Sequence, residues 1–380
     1  MQSHPIGLEA LGSGRAQADS GFVLSGATKP SPEFVITERS TSGETAAAVF
    51  HRVAERLAAR QAEVLSVMLY GSLAAREATE KAMVEALGAV SWPITWVEGA
   101  SCNGAPLAGV QVFAITGAPV TRVRLGNRVV ASVYEDGGAR HCLLGGFGPN
   151  SVALRAPAQV QQMFGNLECA LDLAGFELAD VVRTWFYNDD ILAWYGDFNR
   201  VRTEHYSTVK WRTGSIPAST AVSGKNPAGA ALAVAAWAMR PIEGKGRATE
   251  IGSPLQCPAP AYGSSFARAM EIDSGGSRRL LVSGTASIHP GGATAWVGDP
   301  EKQIALSMDV IAAILETRGM TFNDVTRATA YFQQPQYAQY FDRWCQQREL
   351  RRMPAVYVHC DICRDDLLFE LELDACVKAG

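Results

Sequence analysis

Residues 170–190 read ALDLAGFELADVVRTWFYNDD, and residues 314–334 read ILETRGMTFNDVTRATAYFQQ. At a constant offset of 144 positions, Gly175 meets Gly319, Asp180 meets Asp324, Val181 meets Val325, Arg183 meets Arg327 and Tyr187 meets Tyr331. Each copy reads as a helix closed by a glycine, a short turn and a strand, because glycine takes the left-handed conformation at a helix C-terminus without steric cost. A second helix follows in both, WYGDFNRVRTEHY (194–206) and YAQYFDRWCQQREL (337–350). After it comes a strand that begins at Pro-Ala, PASTAVSG (217–224) and PAVYVHCD (354–361). Ahead of each first helix lies a strand running into glycine, RHCLLGGFGP (140–149) and RRLLVSGTASIHP (278–290). A repeat of this kind decides the architecture before any single motif does.

A weaker third copy opens the chain. HRVAERLAARQ (51–61) and REATEKAMVEALG (76–88) read as helices, and AEVLSVMLYGSL (62–73), WPITWVEGA (92–100) and LAGVQVFAI (107–115) as strands. The fold expected is α/β in the α+β sense: three units, each a mixed sheet covered by helices, at 21–120, 121–245 and 246–380, after a loose arm over 1–20. Two helices interrupting each run of strands argue against a doubly wound dinucleotide-binding sheet.

Composition narrows the function classes. The 380 residues are 47% hydrophobic and 19% charged, which fits a globular chain with a large core. A net charge of −4 offers no electrostatic footprint for nucleic acid or an anionic membrane. The longest weakly polar run, AGAALAVAAWAM (228–239), is too short to span a bilayer, and the N-terminus lacks a secretory pattern. Eight cysteines without framework spacing point to reduced thiols and a cytoplasmic protein. Cys360 and Cys363 form CDIC, but in a strand–turn–strand context without a second knuckle, so no metal is expected. Phosphate-cradling glycine loops and a nucleophile elbow are absent, and His205 and His289 stand alone. No cofactor is expected.

The last strand is different. In CRDDLLFELELDA (363–375), Leu367, Phe369, Leu371 and Leu373 share one face, while Leu368, Glu370, Glu372 and Asp374 share the other. At the offset of 137 set by Pro217 and Pro354, the three acids meet Ala233, Ala235 and Trp237. Solvent on that face in both units would make Ala-Ala-Trp an odd choice, which favours a face covered by a neighbouring unit. An edge strand with a wet acidic face is the competing reading.

Taken together, PAYGSSFARAM (260–270), LLVSGTASI (280–288), GMTFNDVTRATAYF (319–332) and PAVYVHC…LLFELELDA resemble the reactive-intermediate deaminase, or YjgF-like, superfamily. With RTWFYNDDILAWYGDFNRVR (183–202) they resemble the chorismatases within it, well over 130–377 and loosely over the N-terminal third. That resemblance implies a pseudo-trimer of chorismate-mutase-like units in one monomeric chain, with the site at an interface between units. It implies removal of pyruvate from chorismate, with Glu370 as the catalytic acid. Members that make 3-hydroxybenzoate resemble this chain in carrying a cysteine seven residues before the acid, here Cys363. The product implied is 3-hydroxybenzoate, with or without 4-hydroxybenzoate. Tyr262, Ser283 and Gly284 match the superfamily's pocket tyrosine and Ser-Gly pair, and Asn199 and Tyr206 lie where a helix nears the pocket.

The chemistry makes its own demands. Protonating an enol ether carbon needs a carboxyl still protonated near neutral pH, which burial and a neighbouring carboxylate favour. Two substrate carboxylates call for guanidinium forks, for which Arg183, Arg140, Arg200 and Arg202 are the candidates. Arg327 repeats Arg183, so a structural role common to both units competes for that pair. Chorismate hydrolysis to a dihydroxycyclohexadiene carboxylate is the nearest alternative. A non-catalytic ligand-binding protein on the same fold is another. A deaminase reading is weakened, because Val356 and Tyr357 stand where the deaminases carry an arginine after Pro-Ala.

Overall fold

The computed structural model describes residues 32–350 and 353–379. The arm expected over 1–20, and the expected start of the first unit at residue 21, lie outside the described residues.

The chain builds three helix-covered sheets in succession. The first stretch supplies β1 (Glu33–Arg39), α1 (Ala46–Arg60), β2 (Glu63–Gly71), α2 (Arg76–Leu87), β3 (Ile94–Glu98), the two-residue β4 (Ala100–Ser101) and β5 (Leu107–Ile115). The second supplies β6 (Thr121–Leu125), β7 (Arg128–Glu135), β8 (Ala139–Phe147), α3 (Ala156–Leu173), β9 (Val181–Asn188), α4 (Ile191–Ser207), β10 (Ala218–Ser223) and β11 (Leu232–Pro241). The third supplies β12 (Arg247–Ile251), β13 (Ala269–Ser274), β14 (Ser277–Ala286), α5 (Pro300–Glu316), β15 (Val325–Phe332), α6 (Ala338–Gln347), β16 (Ala355–His359) and β17 (Phe369–Lys378). The sheet orders are β1-β5-β2-β3, β10-β9-β11-β8-β7-β6 and β12-β13-β14-β17-β15-β16-β4. In each, one parallel pair (β2·β3, β9·β10, β15·β16) sits within otherwise antiparallel pairing. Strand β4 leaves its own unit and extends the third sheet, pairing Ser101 with Val358 and Ala100 with His359. No helix among the described residues is long and apolar enough to cross a membrane.

The repeated residues have local and global work. Gly175 and Gly319 sit at φ +75° and +67°, and the chain turns there so that Phe176 N–H bonds Leu171 O and Met320 N–H bonds Leu315 O. Asp180 and Asp324 then close the following turn, accepting from Glu177 N–H at 2.8 Å and Thr321 N–H at 2.7 Å. These groups start β9 and β15 at matching points. The strand register also repeats. Tyr187 pairs with Ala233 and Arg183 with Trp237, while Tyr331 pairs with Glu370 and Arg327 with Asp374.

Each sheet has two covered faces. The outer faces pack beneath helices, as where Leu371, Leu373 and Ala375 meet Ile311, Ile314 and Leu315 of α5. The inner faces of all three sheets meet in one central core that holds Tyr70, Phe113, Trp185, Tyr187, Trp237, Leu281 and Tyr331. The molecule is thus a pseudo-trimer within one chain. Strand β17 is an interior strand between β14 and β15. Glu370, Glu372 and Asp374 are 4%, 0% and 1% exposed. The wet edge-strand reading fails because two further sheets cover that face.

Candidate active site

Three buried carboxyls side by side must be paired or neutral, since an unpaired buried charge is costly. Two of them are paired. Arg327 grips Asp374 through two parallel bonds of 2.9 and 3.1 Å and reaches Glu372 at 2.9 Å and Gln111 Oε1 at 3.0 Å. Arg183 bonds the other oxygen of Glu372, and Thr220 donates to that same oxygen at 2.6 Å. Burial opposes the Glu372 charge, but Arg327 and Arg183 outweigh it and hold the carboxyl below its usual range. Around this cluster Tyr331 donates to Glu372 at 3.4 Å, and the hydroxyls of Tyr70 and Tyr187 lie 2.9 Å apart.

Glu370 is treated differently. Its side chain has no hydrogen-bond partner among the described residues, and its carboxyl lies against the bare backbone of Gly284, where a Cβ would come within 2.0 Å of Oε1. Burial first, and then the charge on Glu372, push its pKa up to about 8, with Arg183 and Arg268 opposing. At neutral pH it is a carboxylic acid, so a proton is stored where a ligand can meet it.

The carboxyl faces a narrow cleft between the second and third sheets, with about 480 Å³ of empty space when its open mouth is included. Helix α4 and β10 form one wall; β14, β17 and the loops before β13 and β17 form the other. Three arginines line it. Arg202 is fully buried, donates to Asn199 Oδ1, stacks by Phe186 and Phe198, and leaves Nε and Nη1 without partners. Arg268 donates twice to Cys257 O, at 3.0 and 2.8 Å, between the rings of Tyr262 and Phe266. Arg364 donates to Gly292 O at 2.7 Å. None of the three has a carboxylate partner among the described residues, so the cleft is cationic around one neutral acid.

Cys363 also lines the cleft. Burial, then the charge of Glu370, push its thiol up to about 12, so it is a neutral S–H and not a thiolate. Tyr195 of α4 faces it, and burial pushes that phenol up as well. Such a pair can donate or relay a proton, and it cannot supply a resident anion.

The candidates from sequence fall into three groups. Glu370, Cys363, Arg202, Tyr262 and Gly284 come together in the cleft, with Asn199 behind Arg202 and at the cleft's outer mouth. Arg183 lies outside the cleft wall, beneath it in the buried ion cluster, where it does what its repeat Arg327 does. Ser283 is fully buried, donating to Ala267 O at 2.5 Å and accepting from Ser219 N–H at 2.8 Å; its hydroxyl ties β14 to β10. The Gly284 N–H, expected to meet a substrate oxygen, is spent on Thr220 Oγ1 at 3.0 Å. Tyr206 packs between Phe164 and Trp211 inside the second unit. Arg200 points to the outer mouth, paired along its helix with Asp197 and Glu204. Arg140 is elsewhere, beside Glu135 and over Phe176 at the far end of β8.

Arg268, Arg364 and Tyr195 were not singled out from sequence. Two of them sit in loops, and their signal was slight: Arg268 lies within FARAM two residues after Phe266, and Arg364 directly follows Cys363.

No family model matches the chain. A 3-hydroxybenzoate synthase from Streptomyces hygroscopicus is 26% identical over 227 residues, which cover 53% of this chain and 64% of that protein. The chain thus spans somewhat less than two thirds of this curated relative. Among solved structures, a chorismatase aligns with a TM-score of 0.65 and 19% identity over 90% of this chain and 98% of its own. In its fold, three helix-covered sheets meeting around one core, the chain resembles that chorismatase.

Proposed function

We propose that the protein is a chorismatase that releases pyruvate from chorismate and forms 3-hydroxybenzoate. The observation that carries this reading is the neutral carboxyl of Glu370 in a cleft whose three arginines have no carboxylate of their own. Chorismate brings two carboxylates and an enolpyruvyl ether. Arg202, Arg268 and Arg364 answer the carboxylates, since charge-assisted bonds from a buried guanidinium fix both position and orientation. Glu370 then gives its proton to the methylene carbon of the enol ether. The resulting oxocarbenium weakens the bond from ring carbon to ether oxygen, and the neighbouring ring hydroxyl displaces pyruvate from that carbon. The bond from this bridging oxygen to its original ring carbon then breaks, leaving the hydroxyl on the former ether carbon and a cation on the ring. Loss of a ring proton restores aromaticity, and that proton returns to the Glu370 carboxylate. No water is consumed, and the acid is regenerated.

Cys363, a neutral thiol beside the acid, is proposed to hold the ring face where the last proton leaves. The unit boundaries are proposed near residues 120 and 245. A cytoplasmic monomer is the proposed working form, since one chain supplies all three units and its eight cysteines are free thiols.

The test is to incubate purified protein with chorismate and assay pyruvate and aromatic acids by chromatography, with Glu370→Gln alongside. Pyruvate with 3-hydroxybenzoate, both lost in the variant, supports the reading. Pyruvate with a non-aromatic diene acid means water, and not the ring hydroxyl, captures the intermediate, and it overturns the product assignment. No turnover overturns the enzyme.

A further inference from the structure

The three interfaces between units repeat one arrangement with different side chains. Between the second and third units, Thr220 accepts the Gly284 N–H and Glu370 lies over that glycine. Between the first and second units, Thr95 accepts the Gly146 N–H at 2.9 Å. Thr95 pairs with Met68 as Thr220 pairs with Trp185, two positions before Tyr70 and Tyr187, so the two threonines are equivalent. Ala233 is the residue in the place of Glu370, each paired with its unit's axial tyrosine. At the third interface Val356 replaces the threonine and Gly109 replaces the acid. There a Cβ on Gly109 would come within 2.9 Å of Val356 Cγ2, so that interface is filled.

The interface at Ala233 is open. A cleft with about 1480 Å³ of empty space, continuous with solvent at its mouth, runs along it. Its lining combines apolar and aromatic side chains, Ile94, Trp96, Phe147 and Ala233, with the amides of Asn150, Asn166 and Asn226. The Trp96 ring is 4% exposed, and its indole N–H has no partner. At the rim Arg76 is neutralised by Glu80 at 2.7 Å. Arg128 donates to Gly146 O at 2.5 Å and has no carboxylate partner among the described residues. A side chain built on Gly284 would strike the Glu370 carboxyl; one built on Gly146 would meet Ile94 O at 2.4 Å and Arg128 Nη2 at 2.9 Å. One cleft presents an acid beside its glycine, and the other presents a guanidinium.

We propose that this second cleft is a binding site for an aromatic monocarboxylate, which it holds and does not transform. The ring lies on the apolar side chains around Ile94 and Trp96, and the carboxylate meets Arg128. One unpaired cation matches one carboxylate, whereas the cleft at Glu370, with three, matches a dianion. With alanine in place of the acid, no proton donor stands over the ligand. The inference does not depend on chorismate turnover, because it concerns binding at a different interface.

The experiment is calorimetric titration of the full chain with benzoate, using wild type, Arg128→Ala and Arg202→Ala. Wild type is expected to take up two benzoates per chain, one in each cleft. Arg128→Ala, an exposed position, should keep the wild-type melting curve and weaken one site about tenfold or more while leaving the other. Arg202→Ala should do the converse, and Arg128→Glu should abolish the site at Arg128 outright. An isotherm unchanged by Arg128→Ala overturns the proposal, as does the absence of benzoate binding at millimolar concentration.

Discussion

Strands β11 and β17 occupy the same place in successive units, pair with their neighbours in the same register, and turn the same face to the centre of the molecule. One presents Ala233, Ala235 and Trp237; the other presents Glu370, Glu372 and Asp374. In β11 the central contact is ordinary packing, with Trp237 against Phe113 at 6.2 Å between ring centres. In β17 the same space holds an ion cluster and, at its end, an acid left without a counter-ion. The backbone is therefore indifferent to the chemistry. What makes one interface a candidate active site is where the paired charges stop, one residue pair short of the end of the strand's acidic face.

The sharpest way to break this comparison is to make β17 more like β11 at one point. Glu370→Gln keeps shape and polarity but removes the proton, and it should lower pyruvate release by about 10³-fold. A residual rate near wild type would put the acid elsewhere. Next comes the cluster that β11 lacks. Arg327→Met leaves Glu372 and Asp374 buried without their main partner and should cost about 3–5 kcal/mol in chemical denaturation. A loss below about 1 kcal/mol would mean that the cluster is solvated.

The paired glycines sharpen the contrast further. Gly284→Ala pushes directly on the Glu370 carboxyl and should lower kcat by about 10–100-fold with a nearly unchanged fold. Gly146→Ala, at φ +68° and against Ile94 O, should lower the melting temperature and leave kcat close to wild type in the protein that remains folded. If the two variants behave alike, the equivalence of the interfaces is structural only.

The pH dependence follows from the sign of the Glu370 shift. In the proposed mechanism the protonated form is the active one, so kcat should stay level below a pH of about 8 and fall about tenfold for each unit above it. Because the folded-state value is raised, the group favours folding fully below its unfolded-state value, and this contribution is lost as pH rises through about 8. Glu370→Gln should therefore melt higher than wild type in alkaline buffer and no higher in acid. The smallest effect is expected at Arg200. It is half exposed and satisfied within its own helix, so Arg200→Ala should change kcat/KM less than about twofold.

Much of this comparison was legible in the amino-acid sequence. The offsets of 144 and 137 align the second and third units residue by residue, and they already set the acids against Ala-Ala-Trp. Repeats reveal where a strand belongs; they do not reveal what approaches it from another unit. Arg183 illustrates the limit. Its place in the strand was clear, but its burial against Glu372 depends on two sheets meeting face to face. Gly284 lies at the cleft and Ser283 is buried beside it, and their polar groups are taken up by Thr220 and Ser219 of the neighbouring unit. Arg268 and Arg364 come from the loops before β13 and β17, which carry no periodic pattern to mark a side chain as inward. Strands β6, β7, β12 and β13 escaped for the same reason, lying outside the repeated blocks quoted from the sequence.

Joining three units in one polypeptide also changes what a single substitution can do. In an assembly of identical subunits, a glutamate placed on the central face of the last strand appears in every copy at once. The counter-cations, the axial tyrosines and the packing at the centre would have to accommodate it threefold in the same step. Here an acid can enter beside Tyr331 while Ala233 stays beside Tyr187 and Gly109 beside Tyr70. Each interface is free to drift toward its own use, and the two without the acid can be remodelled without touching the one that carries it.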